Sequence, residues 1–92
     1  MNYSQIIEEL EQIARQLNLQ IRYEKGDFEG GYCVLKEKKI LVVNKKIAEP
    51  RKAVAMALAL SEYGVDTIYL KPNIRAFIED EAAKVKKGKE GK

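Results

Sequence analysis

The stretch Pro50 to Gly64, PRKAVAMALALSEYG, constrains this chain more than any other. A proline opens it, where fixed φ and the missing N–H suit a helix start; a glycine closes it, the residue that most easily takes a left-handed helix end. Between them Ala53, Val54, Ala55, Met56, Ala57, Leu58, Ala59 and Leu60 form an unbroken apolar run. A surface helix keeps a polar stripe, and the middle of this one has none, so neighbours must cover it on most sides. It is too short to span a membrane, which takes about 20 apolar residues. The reading is a central, buried helix whose alanines let other elements approach closely.

Ninety-two residues make one domain with a modest core. Lys and Arg number 17 against 14 Asp and Glu, a net charge of +3, a mild excess far from the basic footprint of a committed nucleic-acid binder. One cysteine, Cys33, excludes an internal disulfide and fits a reducing cytoplasm; Tyr32 and Val34 beside it predict a strand with a buried, inert thiol. The N-terminus, MNYSQIIEEL, is acidic and amphipathic, unlike a signal peptide. Histidine is absent, which removes the commonest general base and the commonest zinc ligand together.

Tyr3, Ile6, Ile7, Leu10, Ile13, Ala14 and Leu17 recur at helical spacing with a polar opposite side, predicting an amphipathic first helix. Asn2 and Gln5 have capping-box spacing, Glu8, Glu9 and Glu11 toward the start and Arg15 toward the end agree with the dipole, and Asn18 suits a left-handed stop. Leu19, Ile21 and Tyr23 alternate with polar residues as a half-buried strand. KGDFEGG, Lys25 to Gly31, lacks the lysine and hydroxyl residue of a phosphate loop and reads as a loop between strands, its glycines taking conformations other residues avoid. Tyr32 to Leu35 and Ile40 to Val43 predict an antiparallel hairpin, with the second strand, apolar throughout, central and covered on both faces. Val65 to Leu70 reads as a short strand or an extended connection. Pro72 opens a last helix with Ile74, Phe77, Ile78, Ala82 and Val85 at helical spacing. A disordered basic tail is expected over 86–92, beyond a single α+β domain over 1–85.

Lys36, Lys38 and Lys39 at the hairpin tip, Lys45 and Lys46 beyond its second strand, and Arg51 and Lys52 on the first turn of the central helix make up a candidate basic patch. Interspersed acids (Glu37, Glu49) and the lack of an aromatic ladder favour a solvated surface that protects strand edges. The clustered acids Glu79, Asp80 and Glu81 read as solubilising.

The stretches QIARQLNLQIRYE and GGYCVLKEKKILVVNKKIAEPRKAVAMALAL, in the order helix, strand, hairpin, helix, resemble the minimal zincin domain of ImmA/IrrE-type metallopeptidases. YLKPNIRAFIEDE is similar to the ending of small bacterial proteins of that group. The resemblance covers about two-thirds of the chain, Ile6 to Leu60. In that family the helix after the hairpin carries the zinc motif H-E-x-x-H. Aligned so, Met56 and Leu60 stand at the two histidine positions and Ala57 at the general base. Histidines four apart share a helix face and hold one Zn²⁺, while the glutamate activates its water. The resemblance therefore implies a zincin-like scaffold without the enzyme, with no metal and no cofactor, the motif positions lying in a cleft beside the hairpin.

The expectation is an α+β domain: three helices and a three- or four-stranded, mostly antiparallel sheet on a central helix. The favoured function is a non-catalytic interaction or regulatory module for a protein partner, self-association included. The alternative is weak nucleic-acid binding through the hairpin lysines. No membrane association is expected.

Overall fold

The computed structural model describes residues 2–90, with side chains for residues 2–85. The elements are α1 (Tyr3–Gln16), β1 (Gln20–Glu24), β2 (Gly30–Leu35), β3 (Lys38–Asn44), α2 (Glu49–Tyr63) and α3 (Pro72–Glu90). The α+β class holds, with three helices and one three-stranded sheet. Val65 to Leu70 is a connection, not a fourth strand; it buries Leu70 against the core. The tail assigned to 86–92 lies outside the residues whose side chains are described.

Local signals explain the helix ends. Asn2 caps α1 reciprocally with Gln5: the Gln5 N–H donates to the Asn2 side chain at 2.9 Å, and the Asn2 N–H donates to Gln5 Oε1 at 3.1 Å. No acid lies in the first turn, so the box, rather than the dipole, holds that end. Asn18 turns the chain out of the helix at φ 62°. Gly64 ends α2 at φ 103°, its N–H donating to the Leu60 carbonyl at 2.9 Å. Arg51 on the first turn of α2, which the dipole disfavours, is ion-paired with Glu29.

The sheet order is β1-β3-β2. β3 pairs antiparallel with β2, as the hairpin predicts, and parallel with β1. The sheet is therefore mixed. β1 and β2 follow one another in sequence yet lie on opposite edges, so residues 25–29 must cross the end of β3. The last residue of β3, Asn44, sits under that crossing and is 5% exposed. Its side-chain amide donates to the carbonyls of Gly26 (2.8 Å) and Phe28 (2.7 Å), and its Oδ1 accepts from the Lys46 N–H at 2.9 Å. Backbone bonds from Asn44 N to Glu29 O and from Lys45 N to Glu24 O secure both sides of the loop. A buried amide with its hydrogen bonds made stabilises the crossing; without them it would cost about 1–3 kcal/mol.

Helices cover one face only. Tyr23 reaches α1 through Glu11; Tyr32 and Lys39 reach Tyr63 of α2, and Gly30 lies under Ala55. Those residues alternate with a second set that faces the other way: Arg22 and Glu24 on β1, Ile40 and Val42 on β3, Gly31, Cys33 and Leu35 on β2. Among the described residues no helix packs on that second face. β3 is central and buried on both faces, as its apolar run predicts: Leu41 and Val43 on the helix side, and Ile40, 3% exposed and outside the core cluster, on the other. Cys33 is exposed, against the expected burial, because the period-two alternation puts it on the open face. α1 and α2 form the middle layer and α3 lies across them, giving a core of Leu10, Ile13, Leu41, Val43, Met56, Leu60, Ile74 and Ile78 among others.

Candidate functional site

The three positions aligned with the zinc motif are all inside. Met56, Ala57 and Leu60 are each 0% exposed and belong to the core cluster. Positions 56 and 60 share a face, as their spacing requires, but that face meets packed side chains rather than the expected cleft. Each large side chain there contributes roughly 1.5–3 kcal/mol of burial. Among the described residues no three of Cys, Asp and Glu come together in a way that could hold a metal ion.

The basic residues do not converge. Lys36, Lys38 and Lys39 lie at the hairpin end of β3 and Lys45 and Lys46 beyond its other end. Five residues of strand, 40–44, stand between Lys39 and Lys45, which puts them about 20 Å apart. Lys39 stands over the Tyr63 ring, 5.2 Å from its centroid, and donates to its hydroxyl at 3.3 Å. Arg51 is paired with Glu29, and Lys52, on the same turn, is half-buried. A depression of about 490 Å³ between the end of α2 and α3 is lined by Ser61, Asp66, Leu70, Arg75, Ile78 and Glu79. Its Arg75 and Glu79 face one another at 3.9 Å on successive turns of α3. Among the described residues no helix is long and apolar enough to cross a membrane.

What the structure assembles instead is an edge. β2 is the outer strand on one side, and its sequence, GGYCVL, contains no charge and no proline. Asn44 N–H donates to the Glu29 carbonyl, so by antiparallel alternation 31, 33 and 35 are the residues bonded to β3. The N–H and C=O groups of Gly30, Tyr32 and Val34 consequently point outward. Val34 and Leu35 are each 56% exposed.

α2 extends this edge upward. Gly30 is glycine for proximity, not for conformation: a Cβ there would lie 2.7 Å from the Val42 carbonyl oxygen and 3.1 Å from Ala55 Cβ. With α2 so close to β2, the side of α2 bearing Ala55 faces the sheet, while Met56, Ala57 and Leu60 face the core. Val54 and Leu58, four apart on one side of α2 and half-buried, lie outside the core cluster, as does Ala55. Ser61, next on the same stripe, lines the depression against α3. Sequence reasoning read both stretches and missed the site, since nothing in GGYCVL says that it is an edge.

The opposite edge differs. β1 carries Arg22 and Glu24, 3.6 Å apart, and Tyr23, whose hydroxyl donates to Glu11 of α1. Burial, and then the Glu11 carboxylate, push the Tyr23 hydroxyl well above its ordinary pKa. No family model matches this chain, and no curated protein or solved structure is significantly similar to it.

Proposed function

We propose that this chain is a non-catalytic protein-interaction module that accepts an extended partner strand along β2. One observation carries the reading: an edge strand without charge, with outward N–H and C=O groups at Gly30, Tyr32 and Val34 and exposed Val34 and Leu35 side chains. Proteins usually guard such an edge with lysine, proline or a covering element. Strand addition would supply main-chain hydrogen bonds for affinity and side-chain contacts for choice of partner.

Burial of Met56, Ala57 and Leu60 supports a non-catalytic role. The order α1, β1, hairpin, α2 supports reading the scaffold as zincin-like and emptied of its motif. A free, exposed thiol at Cys33 suits a reducing, cytoplasmic setting.

The test is a display screen of extended peptides, with hits titrated into isotopically labelled protein. Amide shifts centred on Gly30, Tyr32 and Val34 are expected. Shifts confined to α3, or binding of duplex nucleic acid that persists at physiological salt and is lost on Lys38→Glu with Lys39→Glu, would replace this reading.

A further inference from the structure

We infer that the strand accepted by β2 is the β2 of a second copy of this chain, paired antiparallel about a two-fold axis at Cys33. The inference rests on reading β2 as the binding edge and goes further by naming the occupant and the register.

A two-fold axis sets each residue of β2 opposite one whose number makes a constant sum with its own. Centring on Cys33 puts Tyr32 opposite Val34 of the second copy, and Leu35 opposite its Gly31. The groups that would bond are those already pointing outward, at Tyr32 and Val34. Two such pairs exchange about four hydrogen bonds. The side chains fit as well. Exposed Leu35 meets Gly31, where a Cβ would find nothing within 4 Å, and exposed Val34 meets Tyr32. No charged residue falls opposite an apolar side chain of β2; Lys36 falls opposite Gly30, which has none. Centring on Tyr32 instead would set Leu35 against Glu29; centring on Val34 would set Tyr32 against Lys36.

Charge also admits a copy of this chain: with no charge in GGYCVL, pairing the strand with itself sets no like charges opposite one another within it. In the paired arrangement both copies of α2 lie on the same face of a six-stranded sheet.

The experiment uses the intact chain, whose one cysteine lies at the proposed axis. In this register the two Cys33 residues form a non-hydrogen-bonded pair, with Cα atoms about 4.5 Å apart, inside the range a disulfide can bridge. Copper-phenanthroline oxidation should link the wild type into a dimer faster than it links the chain in denaturant. Sedimentation equilibrium should show the average mass rising from 10.5 kDa with concentration toward twice that value. Val34→Lys and, separately, Leu35→Glu should each weaken the dimer by about tenfold or more while leaving circular dichroism unchanged. Moving the thiol by Cys33→Ser with Tyr32→Cys should slow linkage, since position 32 no longer faces itself.

A wild type that stays at 10.5 kDa up to millimolar concentration overturns the inference. Dimers indifferent to both edge variants do the same, and faster linkage from position 32 overturns the register. If the chain is monomeric yet binds screened peptides at β2, the second copy fails and the strand-binding function stands. If neither occurs, both fail.

Discussion

The two edges of this sheet are built to opposite rules. β1 carries Arg22 and Glu24 and is tied to α1 through Tyr23 and Glu11; β2 is uncharged, four of its six residues exposed, with backbone groups turned outward. Both are the same kind of object, an outer strand on β3, so the sheet itself does not decide how an edge is finished. The difference shows that protecting edges is a matter of side-chain choice, and that in this molecule only one edge received it.

The comparison breaks most severely at the residue on which both edges depend. Asn44→Leu removes the donors to Gly26 and Phe28 and the acceptor for Lys46, releasing the loop that joins the strand of one edge to that of the other. The expected loss is about 3 kcal/mol, read by urea unfolding. A loss below 1 kcal/mol would mean that the crossing is held by its backbone bonds alone.

Two neighbouring glycines sharpen the comparison on the β2 side. Gly30→Ala must displace the Val42 carbonyl or Ala55 and should cost about 2 kcal/mol. Gly31→Ala enters open space and should stay within about 0.5 kcal/mol. Equal costs for the pair would show that α2 does not press on β2 as described.

Swapping the rules should swap the behaviour. Arg22→Val with Glu24→Val takes the charges off β1 and should change stability by no more than about 0.5 kcal/mol. Light scattering should nevertheless show new association that Val34→Lys does not suppress. If β1 stays inert without its charges, α1 rather than charge guards it.

The smallest effect lies in alkali. Folded Tyr23 keeps its proton to higher pH than it does unfolded, so the stability it contributes is complete below about pH 10 and declines as pH rises beyond. The wild type should therefore begin to lose its advantage over Tyr23→Phe on passing from pH 9 to pH 11, measured as the difference in urea midpoints. A constant difference would place the Glu11 contact outside the energetics of this edge.

How far the chain was readable follows from which interactions are local. The capping box at Asn2 and Gln5, the stop at Asn18, the limits of α2 and the β2–β3 hairpin are all set by residues within a few positions of one another, and each is found close to where the sequence puts it, except that the hairpin strands take in Gly30 and Gly31, read as loop, and Lys38 and Lys39, read as the turn. The parallel pairing of β1 with β3 is not local: QIRYE announces a half-buried strand and says nothing about its partner. Cys33 was misjudged for a related reason. Tyr32, Cys33 and Val34 are all apolar or nearly so, and alternation cannot say which side is in until the register with β3 is known. The apolar run of β3 reflects its central place, with Ile40 buried on one face and Leu41 and Val43 on the other. Helical spacing joined Met56 to Leu60 correctly, and only packing shows that their shared face is sealed. The uncharged composition of β2 was in plain view; its being an edge was not.

The place of β3 between two strands that precede it also governs when a sheet can exist. As the chain leaves the ribosome, β1 and β2 emerge first and cannot pair with each other, because the position between them belongs to a strand not yet made. No ladder forms until residues 38–44 are free, and Asn44, the last of them, completes the crossing. For the span of synthesis before that point, GGYCVL is an uncharged segment with neither its inner nor its outer partner. A nascent chain stalled after Leu35 would present an α1 helix and a sticky ribbon, a natural substrate for chaperones rather than a partial fold.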